Sequence, residues 1–269
     1  MNVFYSNKVS CIILLVMALI GLTYPLITPY DAGNFSFQSL MSPSLDHLLG
    51  TDEMGHDILS MLLVGFRVSI GIAIAAAVLS TLIGTVLATI AAYYKGLIDR
   101  IIVRVTEVFI LVPEIVVLLF FTAFSKPMVY NSIFAIALFS WSKITRIIRA
   151  KALSVIELEK VQYTLLLKGN ILDITLKMWR ELYPAVATMF VFQCGKAVVY
   201  ESTLAFFGMG DPLAKSWGRI IRNALDYEGI FSGDIYLWYL LPPILCILIF
   251  VLAISRIVYN VDEIRSEKR

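Results

Sequence analysis

Four ionisable residues stand inside otherwise apolar stretches of this chain: Glu107 and Glu114 in one, Lys196 and Glu201 in another. A charge at the centre of a bilayer costs roughly 3 kcal/mol on insertion scales, so such residues pair with one another or face a polar path. Glu107 and Glu114 are seven apart, so they share a face of their helix. Counting helical rise from the ends of their runs puts Glu114 and Lys196 at similar depth. Two readings stay open for them, a structural ion pair and a charged pore wall that touches a passing solute. Glu201 lies nearer the end of its run, where a contact with the adjoining loops is expected. The two histidines, His47 and His56, stand beside Asp46, Asp52, Glu53 and Asp57. Imidazole with carboxylate suits a divalent ion, but the same residues can shape a loop that meets another protein, and no metal ligand is assigned. No nucleophile, base and orienter set is visible, and no G-x-x-x-x-G-K-[ST] loop. The sequence therefore assigns no catalytic residue, no cofactor and no ATP hydrolysis to this chain.

The elements that position these residues follow from composition. Of 269 residues 59% are apolar and 16% charged, against about a quarter charged in soluble domains. A span of hydrocarbon takes about 20 mostly apolar residues, and six runs qualify: 9–28, 68–93, 105–124, 128–148, 184–207 and 236–258. The expectation is an all-α membrane protein of six transmembrane helices, the first retained rather than cleaved as a signal peptide. With both termini in the cytoplasm, sixteen of the 22 Lys and Arg residues fall inside and five outside, with Lys196 in a span. That bias sets the expected orientation. Cys11, Cys194 and Cys246 all sit in apolar runs, at spacings that suit neither disulfides nor zinc, and read as packing residues.

Two connections are too long to be simple turns. Residues 29–67 form one, on the outside. The other, about 149–183, alternates apolar residues with charges and breaks at Gly169-Asn170, and is expected to form two short amphipathic helices on the inner side. Ser80, Gly84, Ala88 and Ala92 recur every four positions, a small-residue stripe that lets helices approach closely in lipid.

Four segments in order along the chain resemble the peptide and nickel permease family of ABC importers. The first is His47-Leu48-Leu49-Gly50-Thr51-Asp52-Glu53-Met54-Gly55-His56-Asp57-Ile58-Leu59-Ser60, with His56 where the family usually has arginine. Ala92-Tyr93-Tyr94 through Gly96, Asp99 and Arg104 to Val112-Pro113 is the second. The third runs from Trp141 through Arg146, Arg149 and Leu153 to Gly169. The fourth, Glu201-Ser202-Thr203-Leu204-Ala205-Phe206-Phe207-Gly208-Met209-Gly210 with Ser216-Trp217-Gly218, is the most specific.

The resemblance implies a type I ABC importer permease, a pore-forming subunit rather than an enzyme. Its implied partners are a homologous second permease subunit in a heterodimer, two ATP-binding subunits, an extracytoplasmic substrate-binding protein and the lipid bilayer of a bacterial cell membrane, with no nucleic acid. The implied cargo is peptides, nickel or metal chelates. Residues 1–67 would form a first span and outer loop, 68–260 the permease domain with a cytoplasmic coupling loop at about 150–183, and 261–269 a tail. The coupling loop in the family begins Glu-Ala-Ala. Here the matching residues are Tyr163, Thr164 and Leu165, followed by Gly169 and Asp173. At the positions of Glu114 and Lys196 the family more often has small or uncharged residues. A self-sufficient secondary transporter or channel is the alternative, though such proteins usually carry more spans or a discontinuous midplane helix.

Overall fold

A computed structural model describes residues 2–167 and 170–266. The chain is helical throughout, and among the described residues the only β pairing is an isolated bridge between Thr51 and Asp57. Helix α1 (Asn2–Ile27) lies against α2 (Ile58–Tyr94) and α10 (Leu241–Ser266), while α2 packs chiefly on α5 (Val129–Ile156) and α7 (Ile171–Phe206). Among the described residues four helices are long and apolar enough to cross a membrane: Lys8–Ile27, Ile58–Tyr94, Leu172–Phe206 and Ile235–Asn260. The remaining two runs fall on α5 and on the pair α3 (Gly96–Leu111) and α4 (Glu114–Ala123), an arrangement consistent with six crossings.

Helices α2, at 37 residues, and α7, at 36, extend to about 55 Å at 1.5 Å per residue, well beyond a hydrocarbon core of about 30 Å. Their surplus length projects at one end of the bundle, here called the α6 end after the short helix α6 (Glu159–Leu166). The opposite end carries residues 28–57, α8 (Trp217–Asp226) and α9 (Ile235–Trp238), and is called the cap end.

The small-residue stripe of α2 is wholly internal: Ser80, Ala88 and Ala92 are fully buried. At Gly84 a Cβ would stand 2.8 Å from Ile144 Cγ2 and 3.0 Å from the Trp141 carbonyl oxygen of α5. Only glycine permits this crossing, and the Thr145 hydroxyl uses the closeness to donate to the Gly84 carbonyl at 3.2 Å.

Three sequence expectations are corrected. The third run is not one helix: Pro113 lacks an N–H and forces Val112 to an extended ψ of 134°, so the helix stops and restarts at Glu114. Glu107 and Glu114 therefore do not share a helix face. The second amphipathic helix of the inner connection and the fifth span are one element, α7, which runs through Pro184. A single proline removes one backbone bond, which a long and otherwise packed helix tolerates. The break near Gly169-Asn170 coincides with the start of that helix. Asn170 accepts from the Asp173 N–H at 3.0 Å and Asp173 accepts from the Asn170 N–H at 3.1 Å, a reciprocal cap. Gly169 itself lies outside the described residues.

Candidate functional site

At the middle of the bundle the break at Pro113 places Glu114 at the first position of α4, where the helix N-terminus favours a carboxylate. Opposite it, Lys196 on α7 lies 2.6 Å from each carboxylate oxygen. Ser140 of α5 donates to Oε1 of Glu114 at 2.5 Å, and Lys143, one turn further along α5, stands 3.4 Å from Oε2. The Lys196 ammonium also lies 5.1 Å from the centre of the Tyr200 ring, within cation–π range. Glu114 and Lys196 are nearly enclosed, with side-chain exposures of 7% and 14%, whereas Lys143 is 53% exposed. Beside Glu114 a cavity of about 190 Å³ is lined by Val108, Phe109, Val112, Val117 and Phe139.

Sequence reasoning named Glu114 and Lys196, and the structure brings them together. It missed Lys143, which was counted among the inner positive charges. The available signal was its spacing, three residues after Ser140 and thus on the same helical face. Glu107, the other acid of that run, is paired elsewhere. It is half-exposed and pairs with Arg104 of its own helix at 3.0 Å.

Glu201 is buried near the cap end, where it accepts from Ser69 Oγ of α2 at 3.1 Å. The same Ser69 oxygen accepts from the Trp217 N–H at 3.1 Å, so one carboxylate links α7, α2 and the start of α8. Buried polar groups cost stability unless bonded, and this chain of bonds satisfies that requirement.

The cap itself is a closed polar network. His47 Nδ1 meets Asp57 Oδ1 at 2.9 Å, and His56 Nδ1 meets Asp52 Oδ2 at 2.8 Å, all four side chains being buried. Asp57 also caps α2, accepting from the backbone N–H and hydroxyl of Ser60 at 2.8 and 2.7 Å. Gly55 has φ +83°, and any Cβ there would run into the Phe37 carbonyl, so the tight turn between Asp52 and His56 requires glycine. Tyr239 donates to Glu53 at 2.6 Å, fastening the cap to the start of α10. Burial raises the Glu53 carboxyl above the ordinary 4.5, with the Tyr239 hydrogen bond opposing that rise. Lys215, beside the cap, is lowered by burial, which the charges of Asp52, Asp31 and Glu53 partly offset. Each histidine is thus held by one carboxylate, and among the described residues no three His, Cys, Asp or Glu side chains converge on a metal position.

At the α6 end, Val161 of α6 is fully buried against Ala92, Ala152, Val155, Ile156, Ile174, Met178 and Leu182. That anchor leaves the other face outward: Tyr163, Leu166 and Leu167 are 66%, 77% and 83% exposed. Thr164 donates within its helix, to the Lys160 carbonyl, and Leu165 packs at the edge of the buried cluster. Asp173 is engaged in the α7 cap. Nearby, Arg149 of α5 holds Asp99 of α3 through both carboxylate oxygens. Above α6, a groove of about 670 Å³ runs between α2 and α7, walled by Leu82, Val86, Trp179 and Phe190 among others.

Residues 84–264 match the family described as binding-protein-dependent transport system inner membrane component. Among curated proteins the chain is 29% identical over 220 residues to the glutathione transport system permease protein GsiD of Pectobacterium atrosepticum, covering 78% of this chain and 72% of that one. It is also 29% identical over 235 residues to the nickel transport system permease protein NikC of Escherichia coli, covering 84% of each. A GsiD of Escherichia coli is 30% identical over 205 residues, 74% of this chain and 67% of its own length. The match spans α3 to α10, and so includes the mid-depth cluster, α6 and Glu201.

Proposed function

The chain belongs to the family of binding-protein-dependent transport system inner membrane components, and from that premise we propose that it forms half of a translocation pore and takes its power from separate ATP-binding subunits docked at the α6 end. The observation that carries this reading is the state of α6. The helix is fixed from behind by Val161, yet it presents Tyr163, Leu166 and Leu167 outward. A held helix with an uncovered apolar face can transmit the closure of a partner as a rigid displacement of the helices behind it. The cavity face of α3, α4 and α5 would line the path. Lys143 is too exposed to face lipid without a cost of roughly 3 kcal/mol, and a water-filled path removes that cost.

The positive-residue bias then puts the α6 end and both termini in the cytoplasm, and turns the cap toward an extracytoplasmic binding protein. A homologous second permease would complete the pore. The names of the relatives, glutathione and nickel permeases, support a cargo drawn from peptides, nickel or metal chelates. Affinity purification from the native membrane tests the assembly: a stoichiometric pair of ATP-binding subunits is expected, with Leu166→Cys crosslinking to one of them. A chain that purifies alone and transports in its pure form supports a self-sufficient transporter instead.

A further inference from the structure

The mid-depth cluster holds two ammonium groups against one carboxylate, and the two lysines are not equivalent. Lys196 chelates Glu114 with both contacts at 2.6 Å and is nearly enclosed. That pair is electrically closed. Lys143 reaches the same carboxylate at 3.4 Å while keeping about half of its side chain in the open. Glu114 has little left to offer it, since Oε1 already takes Ser140 and Lys196, Oε2 takes Lys196, and the Tyr200 hydroxyl also hydrogen-bonds the carboxylate. An ammonium has three donors, so Lys143 carries both surplus charge and unused hydrogen-bonding capacity beside Glu114, whose own side chain lines the cavity.

We propose that Lys143 is a specificity-determining residue that receives the carboxylate of a solute crossing the pore, and that the Lys196–Glu114 pair behind it fixes its position. The inference rests on the reading that this face lines the path. It narrows the cargo to carboxylate-bearing solutes, free or as chelates, and sets the site against bare divalent cations. A charge-assisted bond of this kind is short and strong, and in a low-dielectric passage it discriminates by sign. Because Lys143 is half exposed rather than enclosed, the bond can also be broken, which a transit site requires.

The test uses the whole importer in detergent, with the three native cysteines replaced by alanine and a probe cysteine introduced by Val117→Cys in the cavity wall. Two methanethiosulfonates of similar size are compared, one bearing a sulfonate and the other a trimethylammonium, each normalised to its rate with a free thiol. The sulfonate is expected to react faster. Lys143→Gln should lower that preference about tenfold, as removal of a unit charge several ångströms away implies. Lys143→Glu should invert it, and Lys143→Arg should retain it, which controls for misfolding. Glycylglycine should protect the cysteine better than glycylglycine amide, and Lys143→Gln should abolish the difference. A preference unmoved by Lys143→Gln, or equal protection by peptide and amide, overturns the proposal. Failure of Val117→Cys to react with either reagent, while Leu45→Cys on the exposed cap reacts, overturns the path reading itself and this inference with it.

Discussion

At the cap end each carboxylate of the 52–57 segment finds its donor within the chain, whereas at the α6 end large apolar side chains are left in the open. Asp52 is held by His56, Glu53 by Tyr239 and Asp57 by His47 and Ser60. At the other end the bidentate Arg149–Asp99 pair is largely covered, but Lys95 with Glu157 at 4.0 Å and Lys160 with Glu181 at 2.7 Å are exposed and of the kind worth at most about 1 kcal/mol. Leu172 and Leu176 of α7 extend the uncovered surface of Leu166 and Leu167. The cap also exposes apolar side chains, Phe35, Leu45 and Met54 among them, but its buried charges are satisfied within the one chain. Substitutions at the cap should therefore show in stability, and substitutions at α6 in the behaviour of the assembly.

The mid-depth cluster tests which logic governs the interior, and the largest effect is expected there. Glu114→Gln strands Lys196 and should cost about 3 kcal/mol, because breaking a buried pair leaves an uncompensated charge. Lys196→Met leaves Glu114 the longer contact to Lys143 and the Ser140 hydroxyl and should cost less. The double variant should recover much of that loss, so the coupling in a double-mutant cycle of thermal unfolding should be large. Additive losses would mean that the pair is not closed and that the interior resembles the α6 end. Next in size is Asp57→Ala, which removes the cap of α2, a loss of about 1 kcal/mol, and leaves His47 and Ser60 without their acceptor, a further loss of about 1–3 kcal/mol. Thermal melts in detergent should fall by several degrees.

How far the sequence foretold these places depended on what kind of signal each one left. Apolar runs of span length coincide with the four helices that are long and apolar enough to cross a membrane among the described residues, because bilayer thickness imposes a length that composition reveals. Glu114 and Lys196 were legible because charge in hydrocarbon is rare. Lys143 was not, since a lysine near the end of an apolar run reads equally well as a loop charge, and only the extension of α5 to Ile156 puts it at mid-helix. The break at Val112-Pro113 was present as a proline signal but was absorbed into an apolar run. Conversely, Pro184 reads as a helix breaker, yet packing of α7 on α2 and α5 overrode it. The pairing of His47 with Asp57 and of His56 with Asp52 depends on the turn at Gly55, and no residue spacing specifies which acid meets which imidazole.

At the α6 end the expected stability change is small and the functional change large. Leu166→Ser and Tyr163→Ser alter side chains that are mostly exposed, so each should shift unfolding by less than about 0.5 kcal/mol. Binding of the ATP-binding subunits should nevertheless weaken, since apolar residues exposed in the free chain would be the ones buried on assembly. Val161→Ala is the contrasting variant, expected to cost roughly 2 kcal/mol by leaving a cavity behind the helix. Co-purification yields that survive Leu166→Ser and Tyr163→Ser together would remove the contrast between the two ends.

The smallest expected effect, and the sharpest probe of how completely the cap is closed, concerns Glu53. Its carboxyl is raised by burial, against the hydrogen bond from Tyr239. A carboxyl whose folded pKa exceeds its unfolded value contributes stability that is fully present below the ordinary 4.5 and is lost as pH rises through the raised folded value. Glu53→Gln keeps an acceptor for the Tyr239 hydroxyl and removes the titration, so its melting temperature should lose that component of pH dependence. Relative to the parent it should gain as pH rises above the ordinary 4.5, the range in which the raised carboxyl ionises. Tyr239→Phe acts in the opposite direction: without the donor that favours the ionised form, the Glu53 carboxyl rises further and the destabilisation on raising pH deepens. Parallel melting curves for the parent and Glu53→Gln across that range would show that solvent, rather than Tyr239, satisfies Glu53, and the cap would then be open at the corner where it meets α10.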